Sequence, residues 1–145
     1  MKNKPQAKGN TMSPGDLKSF GKKYAEAWSS HNPDNVLALH SETSRLSVND
    51  GEPAIGKQAI RKIVQGFIES YPDLHIQVND VVEKQNKIIF YCNVIATNSG
   101  PGGTGNKINM EVQEFWTFDE NCKFIEINAY DDQEKFARHL GNRAS

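Results

Sequence analysis

The sequence predicts a single α+β domain in which a curved sheet wraps around helices. Three observations carry this reading. Up to Pro72, apolar residues recur at helical spacing. Beyond Pro72 they alternate with polar residues through four successive runs separated by turn residues. One short helical segment then closes the chain. Helices and strands segregated in this order pack as a sheet with helices held against it. A length of 145 residues suits one domain with its own core.

Ser13-Pro14 starts the first helix, a hydroxyl cap before a proline whose missing N–H costs nothing there. Leu17, Phe20, Tyr24, Ala27 and Trp28 then share one face. In "SSHNPD", Asn32 caps a second helix and Pro33 takes its first position, with Val36, Leu37, Leu39 and His40 following. Residues 44–49, "SRLSVN", read as a short strand, and 50–56, "DGEPAIG", as a loop. The third helix runs from Lys57, with Ile60, Ile63, Val64, Phe67, Ile68 and Tyr71 on one stripe, and stops at Pro72. Residues 74–84 alternate, with a slip near Asn79-Asp80 that predicts a bulge. Gln85-Asn86 turns the chain into 87–98, which is rich in β-formers. Residues 108–118 alternate, 119–123 turn, and 124–131 return. "DQEKFARHL" is the last helix, with Gly141 as its natural stop. The glycine-rich "GPGGTG" at 100–105 lies between two strand-like runs. It therefore predicts a hairpin loop and not a phosphate cradle.

Composition narrows the function. The net charge is −1, so no strong field draws nucleic acid or an anionic membrane. The first twelve residues hold three lysines and no acid, broken by Pro5 and Gly9. They predict a disordered tail over 1–12, ahead of one domain over 13–141 and a short tail over 142–145. No apolar stretch follows those lysines, so the opening is not a secretory signal. No apolar run approaches the roughly 18 residues of a membrane span. Cys92 and Cys122 lie in no metal-ligand spacing and read as reduced thiols of a cytoplasmic protein. His31, His40, His75 and His139 are far apart, which argues against a metal site. His31 and His40 sit at helix ends and read as surface residues.

Several segments together resemble one family. They are "YAEAW" followed by "NPDNVLALH", the loop "GEPAIGKQAI", "YPDLHIQV", the pair "GTGNKI" and "FDENCKFIEI", and the ending "DDQEKFARHLG". In order and spacing they resemble the SnoaL-like polyketide cyclases, within the nuclear transport factor 2-like superfamily that also holds ketosteroid isomerase and limonene epoxide hydrolase. The resemblance spans about Leu17 to Gly141. It implies a cone-shaped, strongly bent sheet and three helices enclosing an apolar cavity, in a homodimer packed through the sheet. The ligand it implies is a hydrophobic small molecule, and the chemistry is an isomerase, cyclase or dehydratase reaction without metal or cofactor. The same fold also serves binding modules that catalyse nothing.

The candidate site residues follow from pairing the last two strands about the 119–123 turn. If Phe118 faces Phe124, then Trp116 faces Glu126, Glu114 faces Asn128 and Val112 faces Tyr130. One face then mixes apolar groups with Glu114, Trp116, Asn128, Tyr130 and Asp132, as ligand pockets do. The other face, with Asn109, Glu111 and Gln113, suits solvent or a wet dimer contact. A carboxyl in an apolar cavity holds its proton to higher pH, and can then donate to a carbonyl or remove an α-proton. The candidate acids are Glu114, Asp131 and Asp132, although either aspartate also suits the N-cap of the final helix. Tyr24 matches the place where the resemblance implies an oxyanion-binding tyrosine. Trp28, Phe67 and Trp116 are the expected apolar walls, and Asn98 and Asn128 the expected polar contacts. The stretch where ketosteroid isomerase has its general base reads Ser47, Val48 and Asn49, with Asp50 adjacent. The second reading of the glycine-rich loop is a flap over the cavity mouth.

Overall fold

The structure is a computed structural model and describes residues 12–141. The tails expected over 1–12 and 142–145 lie outside these residues, except Met12, which packs on the core.

Helix α1, Pro14–Ser29, begins where Ser13 Oγ accepts the amide of Asp16 at 3.1 Å. Helix α2, Pro33–Leu37, is capped by Asn32 in the same way. Strand β1 covers His40–Val48 and β2 only Ala54–Ile55. Helix α3, Lys57–Ser70, is followed by β3 at His75–Lys84, β4 at Lys87–Thr97, β5 at Lys107–Phe118 and β6 at Phe124–Tyr130. Helix α4, Gln133–Leu140, closes the fold, with Gly141 in the left-handed conformation its stop requires. The six strands form one sheet in the order β2-β1-β6-β5-β4-β3. All neighbours are antiparallel except β1 and β6, which are parallel.

Three irregularities interrupt the ladders, within β1, between Val78 and Asp80, and between Thr117 and Phe118. Bulges bend and twist a strand, and the one at Val78 lies beside the slip that the sequence predicts. The inner face carries Ile88, Phe90, Cys92, Val94 and Ala96 from β4, with Val112, Trp116 and Phe118 from β5. Helices α1 and α3 cover it with Leu17, Tyr24, Ile60 and Val64. On the outer face α4 lays Leu140 and Phe136 against Ile89, Phe115 and Tyr130.

The structure corrects two strand expectations. Strand β1 starts at His40 rather than at residue 44, and the expected 50–56 loop holds the short β2. The register of the last hairpin also differs. Phe118 does pair with Phe124, but Thr117 pairs with Glu126, so Ile125 is left out of the ladder. Beyond that bulge Trp116 pairs with Ile127 and Glu114 with Ala129. Asn128 now pairs with Phe115 and Tyr130 with Gln113, on the opposite face from Glu114.

Candidate functional site

Between the inner sheet face and helices α1 and α3 lies a cavity of about 210 Å³. Its walls are apolar: Trp28 from α1, Ile60, Val64 and Phe67 from α3, and Phe90, Val94 and Val112 from the sheet. Val48 and Ile63, 50% and 42% exposed, stand where it meets solvent. A larger surface groove of about 620 Å³ runs along α2, β2 and α3. Its charges are already paired, Arg61 with Asp34 and Lys57 with Glu42, and it lacks apolar depth. The apolar cavity is therefore the better place for a small molecule.

Glu114 is the charged group set deep in this wall. Strand alternation turns it inward between Phe90 on β4 and Ala129 on β6. Its Oε1 accepts two hydrogen bonds, from the Tyr24 hydroxyl at 2.9 Å and from the Trp116 indole N–H at 2.9 Å. Among the described residues its Oε2 has no partner, and it is not one of the sealed-off polar atoms. Glu114 lines the cavity, so that oxygen is the one left open to it. Burial raises the carboxyl above the ordinary glutamate range, while the bonds from Trp116 and Tyr24 act against the shift. With Oε1 occupied by two donors, a proton on Glu114 sits on Oε2.

Tyr24 is buried in an aromatic cluster, edge-on to Phe90 and to Trp116 at 5.2 Å each. Burial, then the neighbouring Glu114 charge, pushes its hydroxyl well above the usual phenol range. Its proton is committed to Glu114, so it orients the carboxyl. Trp116 stacks on Phe90 at 4.8 Å and stands behind the cavity wall. Trp28 and Phe67 both line the cavity and meet edge-to-face at 6.0 Å. Cys92 also faces it, and burial, then Glu114, holds its thiol protonated.

Other expected site residues stand elsewhere. Asp132 is the N-cap of α4, its carboxylate accepting from the amides of Glu134 and Lys135 at 3.1 Å each. Asp131 is at the cavity rim, bonded by Asn49 Nδ2 at 2.7 Å. Asn98 organises the 98–106 loop, because its Oδ1 accepts from Thr104 and its main chain pairs with Gly105 and Asn106. Asn128 turns outward and accepts from Ser47 at 2.7 Å. Tyr130 borders the cavity, but its ring belongs to the outer cluster with Phe115 and Phe136. There it donates to Asp50 at 2.5 Å and lies 2.7 Å from His139 Nδ1, tying α4 to the turn after β1.

The residue that sequence reasoning misses is His40. It is 3% exposed, lines the cavity, and lies 2.8 Å from Ser44 Oγ through Nδ1. Burial, then Lys57, lowers its pKa to about 4. It reads as a helix end only if β1 is started at residue 44. Strand β1 begins at His40, but its alternation is broken before Arg45: His40, Ser44 and Leu46 are buried while Glu42 between them is exposed, so period-2 patterning does not reveal the histidine.

Among the described residues no cluster of side chains suits a metal ion, and no helix is long and apolar enough to cross a membrane. The family model of the SnoaL-like domain matches residues 22–127. No curated protein matches the chain. Among solved structures, a candidate SnoaL-like polyketide cyclase from Jannaschia sp. CCS1 superposes with a TM-score of 0.72 at 13% identity, over 96% of this chain and 99% of its own. SalBIII, an epoxide hydrolase/cyclase-like enzyme of pyran ring formation in the polyether salinomycin, gives 0.69 at 12%, over 80% and 90%. An NTF2-like protein of unknown function from Exiguobacterium sp. 255-15 gives 0.65 at 12%, over 74% and 93%. At such identities the likeness is one of fold. The family match and the shared architecture together place this chain in the SnoaL-like family, with the nuclear transport factor 2-like, ketosteroid isomerase-like fold.

Proposed function

We propose that this protein takes a small hydrophobic carbonyl compound into the cavity and moves a proton at the carbon beside the carbonyl, with Glu114 as the acid–base group. The observation that carries the reading is Glu114 itself, with one oxygen fixed by Tyr24 and Trp116 and the other open to apolar space. An ionised Oε2 removes the α-proton. The resulting carboxylic acid returns it to carbon, which is the acid–base step of an isomerase or cyclase. No cofactor is needed for such a step. Tyr24 and Trp116 keep the carboxyl in place, and Trp28 and Phe67 hold the apolar body of the ligand. Asp132 has no part in it, since its carboxylate caps α4. The reading includes a cytoplasmic homodimer packed through the sheet. Its outer face carries a chain of amides, Asn79 to Asn93 to Asn109 at 2.7 and 2.8 Å, suited to a wet contact.

Hydrogen–deuterium exchange at the α-carbon of 2-tetralone, followed by NMR, tests the chemistry. The wild type accelerates exchange, and Glu114→Gln lowers the rate by about 10²–10⁴-fold. An unchanged rate in that variant removes Glu114 from the mechanism. A second reading, a binding module without catalysis, is favoured by the stretch Ser47-Val48-Asn49, where the resemblance to ketosteroid isomerase implies a base and no carboxylate stands; of the three, Val48 lines the cavity. It predicts saturable binding of the ketone with no exchange above buffer.

A further inference from the structure

His40 lies inside the cavity wall with an arrangement that fixes its tautomer. Ser44 is 0% exposed, and among the described residues its hydroxyl has one partner, Nδ1 of His40 at 2.8 Å. A buried hydroxyl proton needs an acceptor. Nδ1 is the acceptor within reach, so Ser44 donates and Nδ1 carries the lone pair. The imidazole is neutral at ordinary pH, because burial holds its pKa near 4. Its one proton therefore sits on Nε2.

Nε2 is the unused group. Among the described residues it makes no hydrogen bond, yet it is not one of the sealed-off polar atoms without a partner. The ring packs on Phe124 at 5.0 Å and borders the cavity. A buried N–H with open surface and no protein partner is costly unless a ligand or water accepts from it.

We propose that His40 is a ligand-binding residue of this cavity, its Nε2–H donating to an acceptor oxygen of the bound compound. The ligand class is thereby narrowed to hydrophobic molecules carrying a carbonyl or ether oxygen, in preference to hydrocarbons of the same shape. The inference rests on the cavity holding a small molecule, as proposed above, but not on Glu114 catalysing anything. A neutral imidazole donor polarises a carbonyl without placing a full charge in an apolar wall.

Acetophenone and α-methylstyrene test this, since they share a shape and differ in C=O against C=CH₂. Calorimetric titration of the wild type is expected to favour the ketone by about tenfold, the value of one good hydrogen bond. His40→Phe removes that preference by lowering acetophenone affinity about tenfold, while Asp132→Asn, at the α4 cap outside the cavity lining, retains it. Nitrogen-15 spectra of the unmutated protein supply a readout that survives a misfolded variant. Nε2 of the non-titrating histidine is protonated in the free protein and shifts with acetophenone but not with α-methylstyrene. A ketone preference that persists in His40→Phe, or a saturated complex in which Nε2 does not move, overturns the role of His40 alone. Failure of both probes to bind overturns the cavity reading and this inference with it.

Discussion

Glu114 and His40 pose opposite electrostatic problems in one cavity, and each has a pH signature. Burial lowers His40 from 6.5 to about 4. The unfolded chain therefore takes up a proton near pH 6.5 that the folded protein refuses until about pH 4. Stability from this group is present above pH 6.5 and is lost as pH falls from 6.5 to 4. The loss amounts to about 3 kcal/mol. Urea denaturation at pH 7 and pH 4 is expected to show that loss in the wild type and its reduction in His40→Phe; equal losses in both proteins contradict the buried neutral histidine. Glu114 runs the other way. Its folded pKa is raised, so the group favours folding in acid and disfavours it as pH rises through the folded value. Legibility at this scale follows one rule. Glu114 and Tyr24 stand out because a carboxyl in a strand of aromatics and a phenol on an apolar stripe are conspicuous. His40 is missed because its neighbourhood is built from β1, whose start the local pattern hides.

At the scale of elements, the glycine-rich segment illustrates what sequence alone conceals. It is the expected hairpin loop, but it is tied down: Gly100 N–H donates to Ser70 at the end of α3, and Asn98 pins its other side. A Cβ at Gly100 would sit 1.9 Å from the Glu69 carbonyl oxygen, in the main chain of α3. Gly100→Ala therefore must separate the loop from α3, at a cost of about 2 kcal/mol. Gly66, within α3, meets nothing within 4 Å, so Gly66→Ala is expected to stabilise by about 0.5–1 kcal/mol. Urea midpoints of the two variants check both signs, and a neutral Gly100→Ala contradicts the tether. The hairpin register fails in prediction for a related reason. Period-2 patterning tells which residues alternate, but one unpaired residue, Ile125, exchanges the faces of Asn128 and Tyr130, and no local signal marks it.

For the whole molecule, segregated helical and alternating segments are enough to read the α+β class, because each element's buried face is written in its period. The parallel joint of β1 to β6 is not readable in that way, since it brings a strand that precedes α3 against the last strand of the chain. The cavity likewise arises from the assembly: α1, α3 and five strands each contribute one or more wall residues. Assembly beyond the chain is testable by sedimentation. A homodimer through the amide-bearing outer face predicts twice 16.2 kDa, and a concentration-independent 16.2 kDa species contradicts it. The claim on which the chemistry depends is a desolvated carboxyl facing the cavity. Carbon-13 titration of the Glu114 side chain measures it directly. The expected midpoint lies above that of an ordinary glutamate and rises further in Tyr24→Phe, which removes a bond favouring the charged form. A midpoint at or below the ordinary value, unmoved by that substitution, contradicts it.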